Sequence, residues 1–180
     1  MKKLIVTTAL AASLSAGLAT SAFAELKAGA KAPDFTAPAY MAGQPFTFKL
    51  ADALKKGPVV LYFFPAAYTK GCQIETHMFS EAADQFKAQH ATLIGVTAGK
   101  TEKLAEFSKD TEFCAGKFPM AADAGAVIAK TYDATMPAMG VSSRTSYVIA
   151  PNGQVAGVYS AMDPNDHVNQ TLAILKTIKK

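Results

Sequence analysis

The feature that most constrains the fold is an unbroken apolar run, VVLYFF, which extends from Val59 to Phe64. A strand without alternating polar residues is expected in the centre of a sheet that is covered on both faces. Around this run, short β-rich segments alternate with helical patterns, which favours an α/β architecture over separate all-α and all-β layers. The sequence therefore predicts a central mixed sheet flanked by helices.

The segment after this strand predicts a helix that carries a cysteine near its start. After Gly71, apolar residues recur at every fourth position, namely Ile74, Met78, Ala82 and Phe86. This spacing is typical of a helix. Cys72 is therefore expected at the helix N-terminus.

A second strand and two further helices are predicted in the middle of the chain. The strand is expected at 91–98, and a helix should follow it. The less polar stripe of that helix is Leu104, Phe107, Thr111 and Cys114. Glycine and proline between 116 and 119 should end it. Asp123 is expected to cap a short helix that runs to about residue 134, and 136–143 is expected to be a loop.

The C-terminal part predicts a hairpin and a last helix. The strands RTSYVIA at 144–150 and QVAGVYS at 154–160 are separated by the turn sequence Pro-Asn-Gly. Asp163 and Pro164 are expected to be the N-cap and the first-turn proline of the last helix. The apolar face of this helix is Val168, Leu172, Leu175 and Ile178.

The N-terminus predicts export from the cytoplasm. Lys2 and Lys3 precede an uncharged segment, and Ala22-Phe23-Ala24 supplies small residues before a cleavage point. The uncharged segment is too short and too rich in Ser, Thr and Gly to span a membrane. We expect a signal peptide at 1–24, a single domain at 25–180, and a soluble periplasmic protein without a membrane anchor.

The net charge argues against binding to nucleic acid, and the spacing of histidine and cysteine argues against a metal site. The chain has 18 Lys and Arg against 14 Asp and Glu, and removal of the two leader lysines leaves 16 against 14. This near balance argues against nucleic-acid binding. The three histidines, His77, His90 and His167, are scattered, and the two cysteines lie 42 positions apart. Neither pattern is a usual zinc spacing, so no metal is expected.

The order of the elements is compatible with a thioredoxin-like fold. The cysteine pattern, however, argues against two functions of that fold, those of thioredoxins and of disulfide isomerases. A thioredoxin or a disulfide isomerase would carry a Cys-x-x-Cys pair at the start of the first helix. The two cysteines of this chain are Cys72 and Cys114, so neither class is favoured.

At this junction the sequence resembles the peroxiredoxins. Pro65, Thr69 and Cys72 match the family motif Pro-x-x-x-Thr/Ser-x-x-Cys. Glu75 falls at the position of the family's Cys-x-x-Glu, and Arg144 falls at the position of its active-site arginine. KAPDFTAPA, which begins at Lys31, is similar to the family's N-terminal segment. The chain most resembles the peroxiredoxin Q, or bacterioferritin-comigratory, branch.

The resemblance implies a role for each of these residues. Cys72 would be the nucleophile, and the Thr69 hydroxyl and the Cys72 backbone N–H would bind the peroxide oxygens. Arg144 would stabilise the charge that develops as the O–O bond breaks. Pro65 would shield the sulfur from water, and Glu75 would orient Arg144.

The helix start is also a suitable place for a reactive cysteine. The thiolate is the nucleophile, and an unperturbed cysteine is only about 3% ionised at neutral pH. A helix N-terminus and a nearby guanidinium favour the anion. Complete ionisation gains at most about thirtyfold, so positioning of the peroxide must supply the rest of the rate.

The role of Cys114 has more than one interpretation. Members of the branch often carry a resolving cysteine five positions after the nucleophile, but His77 occupies that position here. EFCAGKFPMAAD, which contains Cys114, resembles relatives that place the resolving cysteine on the third helix. We expect Cys114 to be the resolving cysteine. The alternatives are a buried apolar cysteine, which implies one-cysteine chemistry, and a permanent structural disulfide.

The expected activity is a thiol-dependent peroxidase with an antioxidant role. Cys72 would reduce hydrogen peroxide or an organic hydroperoxide, become a sulfenic acid and condense with Cys114. A thioredoxin-like dithiol would restore the thiols. No cofactor is implied, and a monomer is expected. The alternative is a non-enzymatic thioredoxin-like binding module with a structural disulfide.

Overall fold

The computed structural model describes residues 25–178, so the predicted signal peptide lies outside the described residues. Seven strands form one mixed sheet with helices on both faces, as expected. Within the described residues, no helix is long and apolar enough to cross a membrane.

The strands and helices are numbered in chain order. The strands are β1 (Thr36–Met41), β2 (Gln44–Lys49), β3 (Val59–Phe63), β4 (Thr92–Thr97), β5 (Met120–Ala122), β6 (Thr135–Met136), β7 (Val141–Ser142), β8 (Thr145–Ile149) and β9 (Val155–Ser160). The α-helices are α1 (Leu50–Leu54), α2 (Lys70–Glu81), α3 (Ala83–Ala88), α4 (Leu104–Lys109), α5 (Val127–Thr131) and α6 (His167–Leu175). The strand order in the main sheet is β2-β1-β5-β4-β3-β8-β9, and β6 pairs with β7 separately.

The predicted central strand is confirmed, because β3 is buried along its whole length. It pairs with β4 in parallel and with β8 in antiparallel orientation. Alternate side chains of β3 enter two separate apolar clusters, one on each face of the sheet. The face that contains Val60 and Tyr62 is covered by α2, α3, α4 and α6, and also contains Cys72 and Cys114.

The helix after β3 is confirmed, but its buried face differs from the predicted apolar stripe. Ile74 is 39% exposed, and the inward-facing side chains are Cys72, Glu75, Thr76, Phe79 and Ser80. The polar side chains among them, Glu75, Thr76 and Ser80, face inward because each has a specific hydrogen-bond partner. The hydropathy pattern of the sequence does not reveal such partners. The predicted single helix is also divided into α2 and α3 at Ala82.

The prediction that Cys114 lies on a helix is wrong. Helix α4 ends at Lys109, and residues 111–116 form turns. Asp110 leaves the helical conformation, and its carboxylate accepts a hydrogen bond from the Glu112 N–H at 3.0 Å. A side-chain bond of this kind competes with continuation of a helix. Cys114 is therefore held on a compact turn.

The C-terminal hairpin is confirmed, with two differences around it. The segment that was expected to be a loop contains the small β6–β7 pair. The Asp163 carboxylate accepts a hydrogen bond from the Asn165 N–H at 3.0 Å, so it closes a local turn and α6 begins later, at His167. Asp123 caps the following helix as predicted, because its two carboxylate oxygens accept the N–H groups of Ile128 and Ala129, but α5 begins only at Val127 and ends at Thr131, before the predicted end.

Candidate active site

The sheet register explains how residues that are distant in sequence meet at one site. Phe63, at the end of β3, pairs with Thr145, at the start of β8. Because these strands are antiparallel, the residue before β8 lies beside the segment that follows β3. That residue is Arg144, and the segment leads into α2 with Cys72.

Cys72 is the third residue of α2, and its side chain is fully buried. The Arg144 Nη2 donates a hydrogen bond to the Cys72 Sγ at 3.6 Å. The N–H groups in the first turn of a helix have no intrahelical acceptor, so the backbone around Cys72 can donate hydrogen bonds to a ligand. The sulfur therefore lies between a guanidinium and a helix N-terminus.

Arg144 is buried and uses three nitrogens for three partners. Nη1 forms a hydrogen-bonded ion pair with the Glu75 Oε2, and Nη2 contacts the cysteine sulfur. Nε donates to the Met162 carbonyl at 3.0 Å. A Cβ atom on Gly71 would lie 2.8 Å from Nη2, so the absence of a side chain there makes room for the guanidinium. These contacts fix the orientation of the Arg144 guanidinium.

Glu75 is also fully buried, and its two carboxylate oxygens have different surroundings. Oε2 accepts the hydrogen bond from Arg144, whereas Oε1 has no hydrogen-bond partner among the described residues. Burial raises the pKa of Glu75 to about 8, although the positive charge of Arg144 opposes this shift. The carboxyl therefore favours a proton more than an exposed glutamate does.

Thr69 and Pro65 lie on the segment between β3 and α2, and both are half-buried. Thr69 is the N-cap residue of α2, but its hydroxyl donates to the Ala66 carbonyl at 3.1 Å and does not cap the helix. Its oxygen lone pairs remain free to accept a hydrogen bond from a ligand. The Pro65 carbonyl accepts the Thr97 hydroxyl at 3.0 Å, which attaches this segment to the end of β4.

Cys114 is a free thiol, as is Cys72, and it is fully buried in the same apolar cluster. Its Sγ donates to the Phe118 carbonyl at 3.2 Å. Burial raises the pKa of the Cys114 thiol to about 11, although nearby backbone N–H groups oppose the shift. The Ser80 hydroxyl of α2 donates to the Cys114 carbonyl at 3.1 Å, so the turn packs directly on the helix that carries Cys72.

Two residues next to Glu75 and Arg144, namely His167 and Ser146, were not identified as site residues from the sequence. His167 is fully buried, and its Nδ1 lies 3.5 Å from the Glu75 Oε1 and 2.8 Å from the Ser146 hydroxyl oxygen. His167 directly precedes the apolar face of α6, and a polar residue at this edge was the available signal. Its partners lie on α2 and β8, and no spacing rule connects these elements. Within residues 25–178, no group of His, Cys, Asp and Glu side chains could hold a metal ion.

Comparison with known proteins identifies the family. The model of the AhpC/TSA family matches residues 28–158. A chloroplastic peroxiredoxin Q from Sedum lineare is 29% identical over 161 residues, which cover 88% of this chain and 83% of that protein. A putative peroxiredoxin from Mycobacterium tuberculosis is 31% identical over 135 residues, which cover 73% of this chain and 86% of that protein.

Solved structures agree with this assignment. The crystal structure of peroxidoxin BcpB from Mycobacterium tuberculosis has a TM-score of 0.75 at 29% identity, and the match covers 86% of this chain and 99% of that one. Mycobacterium bovis AhpC has a TM-score of 0.74 at 20% identity, covering 85% of this chain and 92% of that one, and supports the fold alone. These matches confirm the expected thioredoxin-like fold.

The family model covers most of the chain, and the relatives and the BcpB structure are peroxiredoxins over the same region. A peroxiredoxin takes a peroxide as its substrate and a thiol as its reductant. This assignment does not support the alternative expectation of a non-enzymatic module. The chain belongs to the AhpC/TSA family of peroxiredoxins and is an oxidoreductase with thiol peroxidase activity.

Proposed function

We propose that Cys72 is the peroxidatic cysteine and that Cys114 resolves its sulfenic acid as an intramolecular disulfide. The observation that carries this proposal is the contact between the Cys72 Sγ and the Arg144 Nη2 at the start of α2. A buried sulfur beside a fixed guanidinium is suited to a reaction in which negative charge moves from sulfur to oxygen.

In the first step, the Cys72 thiolate attacks the terminal oxygen of the hydroperoxide, and the O–O bond breaks. The sulfur becomes a sulfenic acid, and the leaving alkoxide, or hydroxide when the substrate is hydrogen peroxide, takes up a proton. The Thr69 hydroxyl accepts a hydrogen bond from the peroxide, since its own hydrogen is committed to the Ala66 carbonyl. Arg144 donates to the oxygen on which charge develops, and the Cys72 N–H assists it.

The environment of Pro65 and Glu75 supports the roles that the resemblance implies for them. Pro65 lies on the segment that leads into α2 and is fixed there by Thr97, and we propose that it limits access of water to the sulfur. Glu75 binds the Arg144 Nη1 and thereby leaves Nη2 directed at the sulfur. Neither residue exchanges a proton with the substrate in this mechanism.

In the second step, the Cys114 thiol attacks the Cys72 sulfenic acid, the disulfide forms and water leaves. The fully folded arrangement does not favour this attack, because the Cys114 thiol is buried, bonded to the Phe118 carbonyl and has a raised pKa. The turn that carries Cys114, the start of α2, or both must therefore open before the disulfide can form. A thioredoxin-like protein with two thiols then reduces the disulfide and is itself oxidised.

Mass spectrometry after one equivalent of hydrogen peroxide tests this sequence of steps. The wild-type protein should lose two hydrogens as the disulfide forms. Cys114→Ser should instead gain one oxygen, which a sulfenic-acid reagent traps on Cys72. A disulfide-free wild-type protein that gains one oxygen would show one-cysteine chemistry and would contradict the resolving role of Cys114.

We further propose that residues 1–24 are removed on export and that residues 25–180 act as one domain and a monomer in the periplasm. The charged start and the small residues before Glu25 support the cleavage, and an intramolecular disulfide does not require a second subunit. N-terminal sequencing of the protein from fractionated bacterial cells, together with sedimentation of the purified protein, tests this proposal. A full-length cytoplasmic protein would contradict it.

A further inference from the structure

The buried surroundings of His167 contain an unexplained polar contact. Among the described residues, the Glu75 Oε1 is the one buried side-chain oxygen or nitrogen atom that has no hydrogen-bond partner. The nearest charged or titratable partner on α6 is His167, whose Nδ1 lies 3.5 Å away. Both side chains are fully buried, so water does not compete for either atom.

The tautomer of the imidazole follows from its other nitrogen. The His167 Nε2 lies 3.0 Å from the Ala161 carbonyl, which can only accept a hydrogen bond. Nε2 therefore carries a hydrogen, and in the neutral ring Nδ1 carries a lone pair. The Ser146 hydroxyl, 2.8 Å from Nδ1, can donate its hydrogen to that lone pair. In this state nothing donates to the Glu75 Oε1.

One additional proton, shared by Glu75 and His167, would give Oε1 the hydrogen bond that it lacks. Arg144 donates to the Glu75 Oε2 and cannot accept a hydrogen bond, so a proton on the Glu75 carboxyl belongs on Oε1, the oxygen that faces the imidazole. If the proton moves to Nδ1, the resulting N–H can donate both to Oε1 and to the Ser146 oxygen. In either position, the proton supplies the hydrogen bond that Oε1 lacks.

We propose that His167 is a positioning residue of the peroxidase reaction, which holds Glu75, and through it Arg144, by one proton shared between His167 Nδ1 and Glu75 Oε1. This inference rests on the proposed function of Cys72 and Arg144 and deepens it. His167 does not contact the substrate or the sulfur in this mechanism, and acts through the carboxyl that orients the guanidinium.

Several charged and titratable groups face the Glu75–His167 pair. They come from α2, the residue before β8, strands β3 and β9, and the segment before α6: Cys72, Arg144, Tyr62, Tyr159, Asp163 and Asp166. Burial lowers the pKa of His167, and burial raises the pKa of Glu75 to about 8. Both shifts favour the neutral form of the pair, with the proton on Glu75, over the ion pair with the proton on His167 Nδ1.

Loss of the shared proton should slow the reaction at high pH. The Glu75 carboxylate would then face the Nδ1 lone pair without a donor, the two atoms would repel each other, and Glu75 would no longer be held in the position that orients Arg144. The rate constant of peroxide attack should therefore fall as the pH rises through the pKa of Glu75, about 8.

Two substitutions of His167 test the contributions of its two ring nitrogens separately. In His167→Asn, the side-chain amide overlaps the position of Nδ1 and can donate to Glu75 without titrating. In His167→Gln, the amide overlaps Nε2 and can keep the contact with Ala161, but it does not reach Glu75. His90→Asn is the matched control, because His90 is exposed and has a φ of 58°, a conformation that asparagine tolerates.

The experiment measures the second-order rate constant of the reduced protein with hydrogen peroxide from about pH 5.5 to about pH 9. Wild type and His90→Asn should show a basic limb, along which the rate constant falls as the pH rises. His167→Asn should react within about threefold of wild type at neutral pH and lack the basic limb. His167→Gln should react about tenfold or more slowly throughout. Equal rates in both variants, or a basic limb that persists in His167→Asn, would overturn the proposal.

Nitrogen-15 spectra of the histidines give an independent readout that does not depend on folding of a variant at position 167. In the wild type, Nε2 of His167 should stay protonated, and Nδ1 should titrate together with Glu75. Glu75→Gln should remove the shared titration. An Nδ1–H tautomer at high pH would overturn the proposal. If the wild type fails to react with peroxide at any pH, the proposed function fails, and the spectra still decide whether His167 and Glu75 share a proton.

Discussion

At the scale of single residues, the proposed chemistry depends on how one arginine distributes its donors. The Arg144 guanidinium binds a buried carboxyl group, a sulfur and a backbone carbonyl at the same time. A lysine carries the same charge but lacks the planar fork that makes these bonds in fixed directions. Arg144 therefore contributes geometry as well as charge.

Arg144→Lys should reduce the second-order rate constant with hydrogen peroxide by about a hundredfold, the usual cost of removing one donor to a developing oxyanion. Stability should fall less than for a neutral substitution, because the ammonium can still pair with Glu75. Stopped-flow measurement of the reduced protein checks the rate, and thermal melting checks the fold. An unchanged rate constant would show that the role of Arg144 is structural.

Glu75 should make stability depend on pH. Its pKa is raised to about 8 by burial, well above the value near 4.3 of an unfolded glutamate. The folded state therefore holds a proton that the unfolded state loses, and this contribution is lost as pH rises between these two values. In Glu75→Gln, the free energy of unfolding should fall less steeply over this range, by at most about 1.4 kcal/mol per pH unit. Urea unfolding at several pH values measures the difference, and parallel curves would contradict it.

Some residue contacts were predictable from the sequence, and others were not. The spacing of Pro65, Thr69 and Cys72 placed the sulfur at the start of a helix, where the structure has it. The contact of Glu75 with Arg144 followed from the family resemblance. His167 was missed because its partners lie on two other elements, and one-dimensional spacing carries no information about such an assembly.

At the scale of elements, α2 holds the sulfur and the carboxyl on one face, and a glycine in its first turn admits the guanidinium. The first turn of α2 lies against Arg144 so closely that a Cβ atom on Gly71 would meet Nη2 at 2.8 Å. Replacement of a helical glycine normally stabilises a helix by about 0.5 to 1 kcal/mol. Stability and activity should therefore respond in opposite directions at this position.

Gly71→Ala should leave the melting temperature unchanged or raise it slightly, while the rate constant with peroxide falls by about tenfold. The added methyl group would displace the Nη2 that contacts the Cys72 sulfur. The same stopped-flow and melting measurements test this expectation. A variant that reacts as fast as wild type would show that the guanidinium position tolerates this shift.

Element boundaries were predicted less well than element types, and the turn that carries Cys114 shows the reason. The apolar period from Leu104 to Cys114 continues past Lys109, but the backbone does not remain helical. The Asp110 carboxylate accepts a hydrogen bond from the Glu112 N–H within the same turn, and the Asp110 carbonyl accepts another from the Ala115 N–H. Such local side-chain bonds outweigh a weak apolar stripe. In the last helix, the local bond of Asp163 moved the start in the same way.

At the scale of the whole molecule, the unbroken apolar strand predicted the architecture correctly, because a strand buried on both faces requires helices on both sides. The reduced protein buries both cysteines, each with its own partner, in one apolar cluster. Formation of a disulfide must disturb the first turn of α2, the turn that carries Cys114, or both. Oxidation should therefore cost native packing.

Reduction of the disulfide should leave the melting temperature equal or higher. A permanent structural bridge that closes 42 positions would instead stabilise the fold by about 4 kcal/mol, and its reduction would lower the melting temperature by about 8 to 16 °C. Melting curves with and without dithiothreitol distinguish these cases. A reduced form that melts more than about 8 °C lower would identify a structural disulfide.

The most direct test of the central claim, that Cys72 is the peroxidatic nucleophile, is the rate of peroxide consumption by the protein in the presence of dithiothreitol. The wild type should consume peroxide in molar excess over the protein. Cys72→Ser, which changes one buried atom and should keep the native circular dichroism, should consume none above the background of the reductant. Peroxide consumption by Cys72→Ser at the wild-type rate would contradict the account.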